Sequence, residues 1–194
     1  MAKTYLVADT HFFHASPDKP DGIIKMCNRP FSSGREMNSV MAANWRKVIR
    51  PNDAVIVNGD FAHRAEPESL RKLFDSLPGK RRLVVGNHDS PEIRALPWDS
   101  VQDVAYVSID SQRVVLCHYA WRTWPGIRKG ALMLYGHNHG RLPGNSQSMD
   151  IGVDTLGVFA PVRLATIKAH LATLPPLVDP EAGDDFDNGG VVPR

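Results

Sequence analysis

The sequence predicts an α/β fold, because short apolar runs alternate with amphipathic segments in the first half of the chain. The runs are rich in β-branched or large apolar residues, which is typical of buried strands. They comprise residues 5–8, 54–57, 83–85, 114–117 and 132–135. Strand–helix–strand order favours parallel strands with helices packed against the sheet.

Two segments between the first three runs have the periodicity of amphipathic helices. Residues 35–49 place large apolar side chains on one helical face, and Ser33 with Glu36 has the spacing of a capping box. Residues 67–77 begin with a proline, which suits a first helical turn, and Gly79 follows their end. We therefore expect a helix in each connection.

The second half of the chain predicts one further strand, one further helix and a tail. Residues 149–153 have the pattern of a strand, and apolar spacing over 164–174 predicts a late helix. From Pro175 onwards, prolines, glycines and acidic residues dominate, and this composition buries too little apolar surface to order itself. We expect one domain over residues 1–174 and a disordered tail over 175–194.

Composition narrows the class of protein. The 194 residues carry 23 basic and 21 acidic side chains, and a net charge of +2 gives no indication of nucleic-acid binding. Neither of the two cysteines belongs to a CxxC pattern, which argues against a structural zinc site. The start of the chain lacks a signal-peptide pattern, and no apolar stretch approaches the roughly 20 residues of a membrane span. We expect a cytoplasmic protein with reduced thiols, whose oligomeric state the sequence does not predict.

Polar side chains follow the end of each of the five apolar runs. Carboxyl ends of parallel strands meet at one edge of a sheet, so residues distant in sequence can come together there. Oxygen and nitrogen donors of this kind suit Mn, Fe(II) or Zn. The sequence therefore predicts a two-metal site at the edge where the strand-end residues Asp9, His11, Asp60, Asn87, His88, His118, His137 and His139 converge.

The motifs around these residues resemble those of the calcineurin-like metallophosphoesterases. Five blocks occur in order: Asp9-Thr10-His11, Gly59-Asp60-Phe61-Ala62-His63, Gly86-Asn87-His88-Asp89, Cys117-His118 and Gly136-His137-Asn138-His139. They span most of the chain, and five ordered blocks are far more specific than any one of them. Residues 9–14 and 27–31 further resemble a small bacterial or phage-type branch. The resemblance implies two packed mixed β-sheets flanked by helices, a four-layer αββα sandwich.

The resemblance also implies two divalent cations per chain, with manganese as the first choice and iron or zinc as alternatives. One would be held by Asp9, His11, Asp60 and His139, and the other by Asp60, Asn87, His118 and His137. A carboxylate has two oxygens and can bridge two metals, whereas an imidazole offers each metal one nitrogen. Asp60 is therefore the expected bridge.

His88 is expected to contact the substrate. The resemblance implies that it acts as a general acid, or as a charge clamp on the leaving oxygen, with Asp89 orienting its ring. The alternative for Asp89 is that it caps the turn at Ser90 and Pro91.

Weaker candidates lie beside these blocks. His63 is expected to approach the second metal or the substrate, or else to hydrogen-bond a metal ligand from outside. His14, Asn28 and Arg29 follow the first ligand pair, where Arg29 could grip a phosphate oxygen. The alternative for Arg29 is an ordinary surface position.

A tryptophan-rich segment follows His118. Trp121, Arg122 and Trp124 could line the rim of the site and stack on a base or sugar. The alternative is that these tryptophans pack their loop against the domain. Asp154 is expected to be a structural cap or a hydrogen bonder at a strand end.

The resemblance implies hydrolysis of a phosphodiester or nucleotide-type substrate by hydroxide activated at the two metals. A phosphomonoesterase or a protein phosphatase is an alternative, although residues 62–64 depart from the aspartate and arginine that phosphoprotein phosphatases carry there. A non-catalytic binding scaffold would not need His88. A nuclease would be expected to have a basic groove, which the sequence does not clearly show.

Overall fold

A computed structural model describes residues 2–15 and 22–178 and contains two β-sheets. The strands are β1 (Thr4–Val7), β2 (Ala54–Asn58), β3 (Lys80–Val84), β4 (Ser100–Gln102), β5 (Val104–Ile109), β6 (Gln112–Cys117), β7 (Leu132–Tyr135), β8 (Ser148–Asp150) and β9 (Val162–Arg163). The first sheet has the order β4-β3-β2-β1-β9, and the second has the order β5-β6-β7-β8.

Helices connect these strands. They are α1 (Gly22–Met26), α2 (Gly34–Val48), α3 (Pro67–Ser76), α4 (Pro91–Arg94), α5 (Val153–Leu156) and α6 (Leu164–Leu171), with a 3-10 turn at Ile127–Lys129. The predicted cap of α2 is present, since the Ser33 side chain accepts a hydrogen bond from the Glu36 amide. Within the described part of the chain, no helix has the length and apolar character needed to cross a membrane.

Both sheets are mixed, and the register of their parallel strands positions the site. In the first sheet β1 to β4 run parallel, and β9 is antiparallel to β1. In the second sheet β5 and β6 form an antiparallel hairpin, whereas β6, β7 and β8 are parallel. Val7 lies beside Val57, and Val57 lies beside Leu83, so these strands end level with one another. The carboxyl ends of the parallel strands therefore form one shared edge.

The core is divided by the sheets into layers. Leu6 and Ile56 of the first sheet pack with Leu116 and Leu134 of the second in the space between them. The opposite face of the first sheet packs against the helices, where Val57 belongs to the same buried cluster as Trp45 of α2 and Phe74 of α3. On the outer face of the second sheet, Val115 and Met133 pack with Trp124 and Ile127. Because both faces of the central strands are buried, their sequences are continuously apolar.

The predicted architecture of two mixed sheets flanked by helices is confirmed. Some boundaries differ: the strand expected over 149–153 ends at Asp150, because α5 begins at Val153, and the late helix ends at Leu171. The β5 strand of the hairpin was not predicted. Its residues are alternately exposed and buried and so lack a continuous apolar run.

Contacts with the domain continue beyond residue 174, so the predicted boundary is too early. The Pro175 carbonyl accepts a hydrogen bond from the Ser146 amide, and the Leu177 amide donates to the Ser146 hydroxyl. Leu177 also packs against the cluster that contains Trp124. The remainder of the expected tail, residues 179–194, lies outside the described residues.

Truncation after Leu174 is expected to destabilise the protein relative to truncation after Val178. The shorter chain loses two hydrogen bonds and the half-buried Leu177 side chain. These contacts together are worth about 1–3 kcal/mol, which corresponds to a melting temperature lower by roughly 3–10 °C. Differential scanning calorimetry of the two truncated proteins measures the difference. Equal melting temperatures would restore the boundary at residue 174.

Candidate metal centre

Five of the expected metal ligands have an unusual backbone conformation. The φ angles are 56° at Asp9, 49° at His11, 56° at Asp60, 70° at His137 and 49° at His139. Residues with a side chain rarely adopt this left-handed region, and such strain persists where the surrounding structure enforces it. Here the Asp9 amide donates to the Gly59 carbonyl at 3.1 Å, and the His11 amide donates to the Asp60 carbonyl at 2.9 Å. The loops are thus held together by their backbones, and the side chains turn inwards.

Two glycines allow these loops to approach the ligands. Gly59 has a φ of +87°, and a Cβ atom there would lie 2.1 Å from Nδ1 of His118. A Cβ atom on Gly86 would lie 2.3 Å from Oδ1 of Asp60. Any larger residue at either position would collide with an expected ligand, which explains why glycine precedes Asp60 and Asn87.

The first group of converging donors contains Asp9, His11 and His139, whose ligand atoms lie within 4.8 Å of one another. His139 places Nδ1 2.8 Å from Oδ2 of Asp154. Because a carboxylate accepts, Nδ1 carries a proton and Nε2 is the nitrogen that faces the site. Burial opposes protonation of this ring, but the hydrogen bond with Asp154 outweighs it and raises the pKa of His139 to about 10, so a metal would displace a proton from Nε2. His11 contributes a buried Nε2 atom that has no hydrogen-bond partner in the described structure.

The second group contains Asp60, His118 and His137, again within 4.8 Å. Nδ1 of His118 donates to the Asn58 carbonyl at 3.0 Å, so its Nε2 atom faces the site. Burial opposes protonation of this ring, but the hydrogen bond with Asp60 outweighs it and raises the pKa of His118. The Asn87 side-chain oxygen lies 3.1 Å from Nε2 of His118 and 2.8 Å from Nδ1 of His137. Asn87 and His137 are exposed, so this group opens to solvent.

Asp60 lies between the two groups. Its Oδ2 atom is 3.5 Å from Nε2 of His11 and 3.3 Å from Nε2 of His118. Its Oδ1 atom accepts a hydrogen bond from the His88 amide at 2.8 Å. Burial opposes ionisation of this carboxyl, but interactions with His118 and His11 outweigh it and lower the pKa of Asp60 to about 2. Asp60 is therefore an anion at neutral pH.

The buried charges and lone pairs of the site fit a divalent cation. Burial, followed by the charge of Asp150, raises the pKa of Asp9 to about 7, because two carboxylates lie close together away from water. Burial lowers the pKa of His11 well below its usual value, which leaves a neutral imidazole with an unpartnered Nε2. Carboxylate oxygens and imidazole nitrogens in this arrangement are a donor set for a borderline or hard metal ion.

His88 lies beside the site, but Asp89 does not contact its ring. Asp89 is buried, and its carboxylate accepts hydrogen bonds from the Asp60 amide at 2.9 Å, the Gly86 amide at 2.8 Å and the Phe61 amide at 2.9 Å. The expectation that Asp89 orients the His88 ring is therefore wrong, and so is the alternative that it caps the Ser90 turn. Asp89 instead holds together the two loops that present Asp60 and Asn87.

The ring of His88 pairs with a different side chain. Nδ1 of His88 lies 3.0 Å from Nδ1 of His63, so one ring must donate and the other accept. One nitrogen of His88 also lies within 4.8 Å of donor atoms on His11 and Asp60, which is near enough for His88 to serve as a metal ligand. The geometry thus allows both a substrate contact and a ligand role for His88.

His14 and His63 lie next to this pair. Their rings pack at a tilt of 32° with centroids 4.0 Å apart, and Nδ1 of His14 is 3.1 Å from Nδ1 of His11. Burial, followed by the charges of the neighbouring histidines, lowers the pKa of His14 to about 4. A cavity of about 320 Å³ beside them is lined by Phe13, His14, Ala15, Gly22, Met26, His63, Arg64 and His88. The histidines thus separate the metal groups from a pocket that can accept part of a substrate.

Arg29 is buried, and its guanidinium contacts other residues of the protein. It is 4% exposed, and its guanidinium donates to both oxygens of Asp154 at 2.8 Å. The remaining N–H groups reach the Thr10 carbonyl at 3.0 Å, the Asp9 carbonyl at 2.7 Å and the Met37 sulfur. All of its donors are engaged, so the predicted phosphate contact is not formed. Neighbouring Asn28 is an exposed turn residue with a φ of 49°.

Arg29 and Asp154 together support His139, and Asp154→Asn is expected to weaken metal binding. Loss of the carboxylate removes the charge-assisted partner of His139, and changes of this kind cost about 10- to 100-fold in metal affinity. Titration calorimetry of Mn²⁺ into chelator-treated protein measures the effect. The matched control is Asp110→Asn, which removes a surface aspartate paired with Arg163. If the Mn²⁺ affinity of Asp154→Asn is as close to that of the parent protein as the affinity of Asp110→Asn, Asp154 does not support the ligand His139.

The tryptophans after His118 pack their loop against the domain, which was the alternative to a role in stacking on a substrate. Trp124 is 5% exposed, and its indole N–H donates to the Ala131 carbonyl at 2.8 Å. Trp121 packs against the same cluster on the outer face of the second sheet. A base-stacking role for these residues is therefore not supported. Arg122 is exposed.

Asp150 is a site residue that the sequence pattern did not identify. It is buried at the end of β8 and accepts hydrogen bonds from the Gly152 amide at 2.7 Å and the Gly140 amide at 3.0 Å. It thereby shapes the loop that carries His137 and His139. Its strand, Ser148–Asp150, contains one apolar residue, so no apolar run marked Asp150 as a strand-end residue.

Comparisons with known proteins find relatives in an archaeon and in a phage. The uncharacterized protein MJ1445 of Methanocaldococcus jannaschii is 42% identical over 90 residues, covering 46% of this chain and 48% of that protein. The aligned part thus spans about half the length of the archaeal protein. The Gene 66 protein of Mycobacterium phage D29 is 23% identical over 195 residues, covering 84% and 93% of the two chains.

A solved structure has the same fold. The protein of unknown function AQ665 from Aquifex aeolicus aligns with a TM-score of 0.64 and 22% identity, covering 88% of this chain and all of that chain. The family model for calcineurin-like phosphoesterases matches residues 2–155, which include all seven expected ligands. The chain therefore belongs to the calcineurin-like phosphoesterases.

Proposed function

We propose that the protein hydrolyses a phosphodiester or nucleotide-type substrate at a centre that binds two divalent cations. The position of Asp60 carries this proposal. A single carboxylate oxygen lies 3.5 Å from Nε2 of His11 and 3.3 Å from Nε2 of His118, and these histidines belong to the two separate donor groups. An anionic oxygen in this position is suited to bridging two cations.

The remaining donors complete the two sites in the proposed assignment. One cation would be held by Asp9, His11, Asp60 and His139, and the other by Asp60, Asn87, His118 and His137. Manganese is our first choice, with iron or zinc as alternatives, because mixed oxygen and nitrogen donors tolerate higher coordination than tetrahedral zinc prefers. Asn87 contributes a neutral oxygen and so preserves positive charge for binding a phosphate.

When bound, the cations would activate water for attack and offset the negative charge of the phosphate. The side chains perform the remaining tasks. Asn87 and His137 lie at the exposed side of the site, where a phosphate group can enter. His88 would donate a proton to the leaving oxygen, and His63 would hold the His88 ring through the pairing of their Nδ1 atoms.

The cavity beside His88 supports an ester with an organic leaving group. Its volume of about 320 Å³ falls within the range of small-molecule sites. Arg64 lines the cavity together with the histidines, and no carboxylate is among its described lining residues. An anionic or polar leaving group could therefore lie there, next to the proposed acid.

A substrate screen with metal analysis tests the proposal. Manganese-loaded protein is expected to contain two metal ions per chain, to hydrolyse bis-nitrophenyl phosphate faster than nitrophenyl phosphate, and to lose activity with a chelator. Cyclic nucleotides and oligonucleotides in the same screen define the substrate class. One metal per chain with full turnover would refute the dinuclear centre, and a preference for the monoester would refute the diester assignment.

A further inference from the structure

A second groove adjoins the cavity beside His88. It has a volume of about 590 Å³ and is lined by Phe13, Ala15, Gly34, Arg35, Asn38, Ser39, Ala42, Arg46, Ser69, Lys72, Leu73 and Ser76. Phe13 and Ala15 line both cavities. The groove is therefore continuous with the proposed leaving-group side of the active site.

The groove follows one face of α2 and one face of α3. Arg35 and Arg46 mark the ends of the α2 face, eleven residues apart, which corresponds to about 16 Å along a helix. Lys72 lies on the α3 face between serines one turn away on either side. Arg46 also donates to the Ser76 hydroxyl at 3.1 Å and so joins the two helices. Three exposed cations thus line a trough long enough for more than one anionic group.

Three acidic side chains on or beside these helices are engaged in other contacts. Glu36 accepts hydrogen bonds from the backbone and hydroxyl of Ser32, and Asp75 pairs with Arg71 at 2.6 Å. Glu66 caps the α3 amides. Of the residues described, no carboxylate lines the groove. A chain with a net charge of +2 therefore concentrates positive charge along this path.

We propose that this groove binds a single-stranded nucleic acid whose phosphodiester backbone continues into the active site. The proposal rests on the phosphodiester activity proposed above. Arg35, Arg46 and Lys72 match repeating phosphates, and serine and asparagine side chains offer further hydrogen bonds. The partly exposed Phe13 at the junction presents a ring on which a base can stack. An acidic peptide would match the charge but would make no use of this ring.

Binding is tested with a fluorescein-labelled phosphorothioate oligodeoxythymidine octanucleotide, which resists hydrolysis, and fluorescence anisotropy. The metal-loaded protein is expected to bind with a logarithmic salt slope of about −2, as for three neutralised phosphates on a single strand. In Arg35→Glu/Lys72→Glu the slope should fall by more than half and the affinity by about tenfold or more. Lys47→Glu/Lys80→Glu is the matched control: it makes the same change in charge at exposed residues outside the groove and should bind like the parent.

Two further measurements test which ligand the groove binds and whether that binding contributes to hydrolysis. Hydrolysis of an unmodified octanucleotide, relative to a small chromogenic diester, should fall at least tenfold in the groove variant and remain unchanged in the control. Equal losses of affinity in both variants would show that the groove is not the binding site. An abasic octamer or an acidic peptide that binds as tightly as the oligonucleotide would show that the groove does not recognise a single-stranded nucleic acid. Absence of any diesterase activity would instead refute the proposed function, whereas the anisotropy measurements would still test the groove.

Discussion

Replacing Asp60 by Asn is expected to reduce turnover below detection and to weaken metal retention. The amide keeps the size of the side chain and can still accept the hydrogen bond from the His88 amide. It removes the anionic oxygen that lies between His11 and His118. Since Asp60 would contact both cations, the loss of metal affinity should exceed the roughly 10- to 100-fold typical of residues that only support a ligand.

Elemental analysis and Mn²⁺ titration of the Asp60→Asn protein measure this loss. Asp53→Asn is the matched control, because Asp53 is a buried aspartate just before the opposite end of β2, where it accepts hydrogen bonds from the Lys3 and Arg50 amides. This control is expected to lose stability while keeping its metals and its turnover per folded molecule. Two tightly held metals in Asp60→Asn would exclude Asp60 as the bridge.

Replacing His88 by Asn is expected to slow turnover by about 10²- to 10⁴-fold while both metals are retained. In the proposed mechanism His88 protonates the leaving oxygen. The effect should therefore shrink with nitrophenolate as leaving group, because a stable anion needs little protonation. Steady-state kinetics with a series of leaving groups, together with metal analysis, measures both parts. His170→Asn, in α6, is the histidine control and should behave like the parent.

The same measurements distinguish proton donation by His88 from a role as a metal ligand. One of its ring nitrogens lies within 4.8 Å of donor atoms on His11 and Asp60. If His88→Asn loses a metal, His88 is a ligand and the acid role is wrong. An equal loss of rate with every leaving group would also count against proton donation.

The convergence of the ligand candidates could be predicted from the sequence because it follows from topology. Asp9, Asp60 and Asn87 follow parallel strands of one sheet, and level strand ends bring them together whatever the loops between them do. The same reasoning applies to His118 and His137 in the second sheet. Short apolar runs followed by polar residues therefore carry most of the information about this centre.

The roles of Asp89 and Arg29 could not be predicted in the same way. Asp89 satisfies backbone amides from another loop, and backbone amides have no sequence signature. Arg29 looks like a surface residue until Asp154, 125 residues away, and the carbonyls of Asp9 and Thr10 surround it. Long-range partners of this kind become apparent only when the tertiary structure is known.

The two sheets contribute to both donor groups, and this has a consequence for folding. Asp9, His11 and Asp60 follow strands of the first sheet, whereas His118, His137 and His139 follow strands of the second. In the proposed assignment each cation would be a cross-link between the sheets, in a chain whose two cysteines are free. In the first site the cation would join segments of the chain more than a hundred residues apart. Because these segments come together only in the folded protein, the cation would bind the folded state alone. Metal supply would then govern the lifetime of the folded protein as well as its catalytic rate.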